Sequence, residues 1–105
     1  MCQFSRATFE AGEVIDDPSE DRLFIMLGRL ALPENSSLVI EPCEGTARWY
    51  VVVSLLGPDR YELEFRDPAF HEHELRESSS KSEIAGDVTG WLAERFGITG
   101  IGRGR

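Results

Sequence analysis

No stretch of this chain is apolar for the roughly 18 to 20 residues that a membrane-spanning helix needs. The longest candidate, Trp49 to Leu56, is interrupted by Ser54 and stops at Gly57-Pro58. The first residues, Met-Cys-Gln-Phe-Ser-Arg, contain no apolar core of a secretory signal. Only two cysteines are present, Cys2 and Cys43, distant in the chain and without a local C-x-x-C partner. Two thiols do not make a disulfide scaffold, and a cytoplasmic chain keeps them reduced, so both are expected to be incidental. Bases are also scarce. Eleven face nineteen acids for a net charge of −8, and two of the eleven, Arg103 and Arg105, fall in the closing Gly-Ile-Gly-Arg-Gly-Arg. Binding to nucleic acid draws mainly on lysine and arginine neutralising phosphates. Direct contact with DNA, RNA or an anionic membrane is therefore not expected, whereas a partner with a basic surface would be steered toward this one.

What is present suits one small domain. The 105 residues are 41% hydrophobic and 29% charged, enough for a core and a wet surface. A single domain is expected over residues 1–98, with a frayed tail over 99–105.

Element signals follow the chain. Gln3 to Phe9 reads as an edge strand. Asp17 is expected to cap a first helix, with Pro18 at its first position and Glu20 at capping-box spacing. Leu23, Met26, Leu27 and Leu30 form its apolar stripe, Phe24 and Ile25 widen that surface, and Pro33 ends the helix. Leu38 to Ile40 and Arg48 to Leu56 read as strands. The Gly57-Pro58-Asp59-Arg60 turn reverses the chain into Tyr61 to Arg66, where Tyr61, Leu63 and Phe65 alternate with Glu62, Glu64 and Arg66. Asp67-Pro68 breaks this strand. A further one is expected from Phe70 to Glu77, with His71, His73 and Leu75 on one side and Glu72, Glu74 and Arg76 on the other. Ser80 and Glu83 have capping-box spacing for a closing helix lined by Ile84, Val88, Trp91 and Leu92, which Gly97 terminates. Arg95 is expected to pack its stem and send its guanidinium to the edge or to a carboxylate. The order is (β)αββββα: an α+β fold with an antiparallel sheet of four to five strands, both helices on one face, and the other face open to water.

Chemistry-bearing patterns are thin. Structural zinc sites use close pairs of ligands, and only His71-Glu72-His73 is local, so no metal or cofactor is expected. There is no G-x-S-x-G elbow and no phosphate-cradling glycine loop. Paired carboxylates could act as acid and base. Glutamates on an open sheet, however, lack the burial that would separate their pKa values, so an enzyme is the weaker expectation. The clearest surface feature is acidic. If the last two strands pair as a hairpin, Glu62, Glu64, Glu72 and Glu74 are expected to crowd one face beside Tyr50 and Val52, giving a partner-binding surface. Glu83, Asp87 and Glu94 form a second acidic stripe on the closing helix.

Several of these elements together resemble a known family. They are Asp17-Pro18-Ser19-Glu20 opening a helix with Leu23, Leu27 and Leu30; Ser37-Leu38-Val39-Ile40; Tyr61-Glu62-Leu63-Glu64-Phe65-Arg66-Asp67 with a nearby His71 or His73; and a closing helix with Val88, Trp91, Leu92 and Phe96. The pattern is similar to the immunity proteins of bacterial polymorphic toxin systems, the small α+β kind associated with deaminase-type toxins. The resemblance implies a cytoplasmic, non-enzymatic protein that occludes a cognate basic toxin domain. Two readings stay open beside it: a self-associating or regulatory module with the Tyr50 face as a homodimer surface, and a small enzyme built on the four glutamates.

Overall fold

The computed structural model describes residues 2–43, 45 and 47–96. The chain forms β1 (Ser5–Phe9), β2 (Val14–Asp16), α1 (Glu20–Gly28), β3 (Ser37–Pro42), β4 (Tyr50–Gly57), β5 (Arg60–Asp67), a 3₁₀ turn (Pro68–Phe70), β6 (Glu72–Ser78) and α2 (Lys81–Arg95). The six strands make one antiparallel sheet in the order β2-β1-β3-β4-β5-β6. The α+β class is as expected, but there are six strands rather than four to five. The added strand is β2. At three residues it is too short to display a period, and Gly12, in the left-handed region at φ 113°, turns the chain into it. Because β2 takes the outer position, β1 lies inside the sheet and not at its edge.

Strand alternation builds the core. Ala7 and Phe9, Leu38 and Ile40, Val51 and Val53, and Tyr61, Leu63 and Phe65 all point to one side and are buried. Against them lie Leu23, Met26 and Leu27 of α1, Leu30 just beyond it, and Ile84, Ala85, Val88, Trp91 and Leu92 of α2, in a single hydrophobic cluster. The stripes expected for both helices are thus the ones that pack. Phe24 and Ile25, however, are 46% and 55% exposed. They project from the outer side of a helix whose inner side already covers the sheet, so α1 is amphipathic and not wrapped all round.

The helix boundaries shift for local reasons. Ser19, not Asp17, caps α1, its hydroxyl accepting from Arg22 N at 3.1 Å. Asp17 has a different task. Its carboxylate accepts from the backbone N–H groups of Gln3 (2.7 Å), Phe4 (2.6 Å) and Ser5 (3.1 Å), which anchors the start of β1. α1 ends at Gly28, before Pro33. Ser80 caps α2 as expected, accepting from Glu83 N at 3.2 Å. Gly97, the expected terminator, and the 99–105 tail lie outside the described residues.

Cys2 and Cys43 are not incidental. A disulfide joins them, with their Cα atoms 5.7 Å apart, and ties the chain ahead of β1 to the end of β3. The β1–β3 pairing of Ser5 with Pro42 brings them there, a proximity that follows from strand order and cannot be seen in linear spacing.

Candidate functional site: an open sheet face

The face of the sheet opposite the helices is the candidate site. Cross-strand partners share a face, so register alone assigns every side chain. Tyr50 pairs with Arg66, Val52 with Glu64 and Ser54 with Glu62, which places all six on the open face. On β6, Arg66 pairs with His73, Glu64 with Leu75 and Glu62 with Glu77. Four of the six residues expected to bind a partner, Tyr50, Val52, Glu62 and Glu64, are therefore brought together on β4 and β5.

Glu72 and Glu74 are not among them. Asp67 pairs with Glu72 and Phe65 with Glu74, so both glutamates project to the helix side. The four-residue connection 68–71 is even in length, so odd positions of β5 meet even positions of β6. The expected quartet is thus divided between two faces, and its members do not converge in a pocket. The residues that the open face gains instead are His73, Leu75 and Glu77. His71 is not on a strand at all; it closes the 3₁₀ turn in the left-handed region, at φ 54°.

Glu64 is the hub of the face. His73 Nε2 lies 2.8 Å from Glu64 Oε2, and the Tyr50 hydroxyl donates to the same oxygen at 3.5 Å, the outer limit of a hydrogen bond. The three side chains come from three adjacent strands, so the sheet itself fixes their spacing. The outward-facing strand positions carry five carboxylates, Asp16, Glu41, Glu62, Glu64 and Glu77, against the guanidiniums of Arg6, Arg60 and Arg66, with Arg60 3.9 Å from Glu77. Arg6 is held by Asp16 at 2.9 Å, and that carboxylate raises the Arg6 pKa above its ordinary value through their hydrogen bond and charge attraction. A row of small and apolar side chains, Val14, Thr8, Val39 and Val52, crosses the same face and ends at Glu64 and Leu75. Leu75 is 58% exposed on the edge strand. A flat face with an apolar band, an aromatic hydroxyl and an acidic margin is suited to covering another macromolecule.

On the helix side, acids are engaged internally. Arg95 Nε donates to Asp67 Oδ2 at 3.1 Å, another of its nitrogens donates to Glu72, and its guanidinium lies 3.4 Å from the Trp91 ring centroid. Arg76 bridges Glu74 (2.8 Å) and Asp87 (3.0 Å) while lying over Phe65. Glu83 accepts from the Ser78 hydroxyl at 3.2 Å, and Glu94 lies 3.3 Å from Arg95. The expected acidic stripe of α2 is in this way tied to its own chain. Two shallow clefts of about 540 and 570 Å³ meet along Ala47, Arg48, Trp49 and Pro68 at the end of the sheet. Neither gathers the four glutamates.

No family model matches this chain, and no curated protein or solved structure is detectably similar to it.

Proposed function

We propose that this chain is a non-enzymatic binding protein whose open sheet face covers a basic partner, in the manner of an immunity protein occluding a cognate toxin domain. The observation that carries the reading is the bare face of β4, β5 and β6, where Tyr50, Val52, Glu62 and Glu64 stand together under no helix. A toxin acting on nucleic acid needs a cationic groove. A rigid, negatively charged sheet can close it with fast, salt-sensitive association. The surface also combines an apolar band with an aromatic hydroxyl and charged side chains, as interfaces do. A cytoplasmic setting, in which Cys2 and Cys43 would stand reduced, belongs to the same proposal.

The test is direct mixing with the product of the reading frame adjacent to this chain's gene, which the proposal requires to be a toxin domain. A one-to-one complex whose association rate falls at least tenfold between low and high salt is expected. Absence of a complex at micromolar concentration, or one indifferent to salt, overturns the reading. A second reading, self-association through the same face, draws on the exposure of Leu75 at the sheet edge. Sedimentation at two concentrations separates the two.

A further inference from the structure

We infer that the reduced form of this chain binds a thiophilic divalent cation, zinc or a close analogue, through Cys2, Asp17 and Cys43. One Sγ from each cysteine and one Asp17 carboxylate oxygen all lie within 4.8 Å of one another, and all three residues are half-buried. Zinc–sulfur and zinc–oxygen bonds of about 2.3 and 2.0 Å with tetrahedral angles need donor separations of about 3.5 to 3.8 Å. Opening the disulfide lets the two sulfurs rotate apart to that distance while the Cα atoms stay 5.7 Å from each other.

Asp17 is held ready as the third ligand. Among the described residues, its Oδ1 accepts from Phe4 and Ser5 and its Oδ2 from Gln3, fewer bonds than the carboxylate's roughly four lone-pair sites can take. The three N–H groups fix its orientation, as an outer shell of hydrogen bonds fixes ligands in metal sites generally. Two thiolates with one carboxylate select zinc, cadmium or cobalt over magnesium and calcium. The fourth position is left to water.

Oxidation and metal binding exclude each other, since each uses both sulfurs. A phosphine reductant takes the disulfide to two thiols, becoming a phosphine oxide with the oxygen of one water. The thiols then release two protons as one Zn²⁺ forms two Zn–S bonds. The site stands apart from the open face and does not depend on the binding reading.

The full chain is reduced, freed of reductant without air, and titrated with Co²⁺ and then Zn²⁺. One equivalent of Co²⁺ with a sulfur-to-cobalt charge-transfer band, displaced by Zn²⁺, is expected. The oxidised chain should show neither. Cys43→Ser is expected to weaken binding at least a hundredfold, and Asp17→Asn about tenfold. His71→Asn should change nothing. Zinc should raise the melting temperature of the reduced chain alone. Failure of the reduced chain to take up half an equivalent at micromolar metal overturns the inference. So does a cobalt spectrum without the thiolate band, or retention of full affinity in Cys43→Ser. If Cys43→Ser does not fold by circular dichroism, Cys2→Ala carries the same test from the chain's start.

Discussion

Arg95 in the last turn of α2 meets Asp67 at the end of β5, Nε to Oδ2 at 3.1 Å, with side chains only 9% and 5% exposed. This pair, 28 positions apart, fastens the closing helix to the sheet over the aromatic cluster of Trp49, Phe65, Trp91 and Phe96. Buried charges are costly to strand. Arg95→Ala, which leaves Asp67 without its partner, should destabilise the fold by about 3–5 kcal/mol. Urea denaturation checks this. The double change Arg95→Met with Asp67→Leu should recover most of the loss.

Phe65 lies beneath Arg76 and beside Trp91, with no exposed surface. Phe65→Ala opens a cavity between sheet and α2 and should cost about 3–5 kcal/mol. Phe65→Leu should cost less than half of that, by thermal or chemical unfolding.

Asp17 links the fold to pH. Its carboxylate is held below the ordinary 3.8: burial opposes, and the N–H donors of Phe4, Gln3 and Ser5 prevail. The folded chain therefore binds this proton less readily than the unfolded one. The stability it contributes is complete above pH 3.8 and is lost as pH falls through the lower folded value. Asp17→Ala should cost about 1–3 kcal/mol at neutral pH. It should also flatten the stability profile below pH 4.

The two faces can be told apart by charge reversal. Glu62→Lys or Glu64→Lys should slow association with a basic partner by about tenfold or more at low salt. Glu74→Lys, on the helix side beside Arg76, should have a far smaller effect. Stopped-flow association at two ionic strengths checks the contrast; equal effects from both sides would sink the open-face reading.

Much of this architecture is legible in the order of residues. The stripe Leu23, Met26 and Leu27, the Ser80 cap and the alternation of Tyr61 to Arg66 carry helical or strand period in themselves, and each is realised, while Leu30 is buried just past the helix end. Three features are not legible, for three different reasons. β2 is shorter than any period. The Cys2–Cys43 link depends on β1 lying beside β3, a long-range pairing that local pattern does not contain. The division of the four glutamates depends on the count of a connection, 68–71, whose start at Asp67-Pro68 is plain but whose end is not. A strand boundary at Phe70 and one at Glu72 look alike in composition, because Phe70 is a large apolar residue that here stands 74% exposed on a turn.

That connection has a wider consequence. β6 contributes almost nothing to the core; its side chains are wet on both sides, so grease does not dictate which of them turn outward. Ionic clasps to α2 do, Glu72 to Arg95 and Arg76 to Asp87. Gain or loss of a single residue between Pro68 and His71 would swap the inventories of the two sides, turning an imidazole and a leucine inward and two acids and Arg76 outward, at the cost of the Glu72–Arg95 and Arg76–Asp87 contacts. Relatives of this chain could retarget their exposed side by hairpin length alone, with every core position untouched.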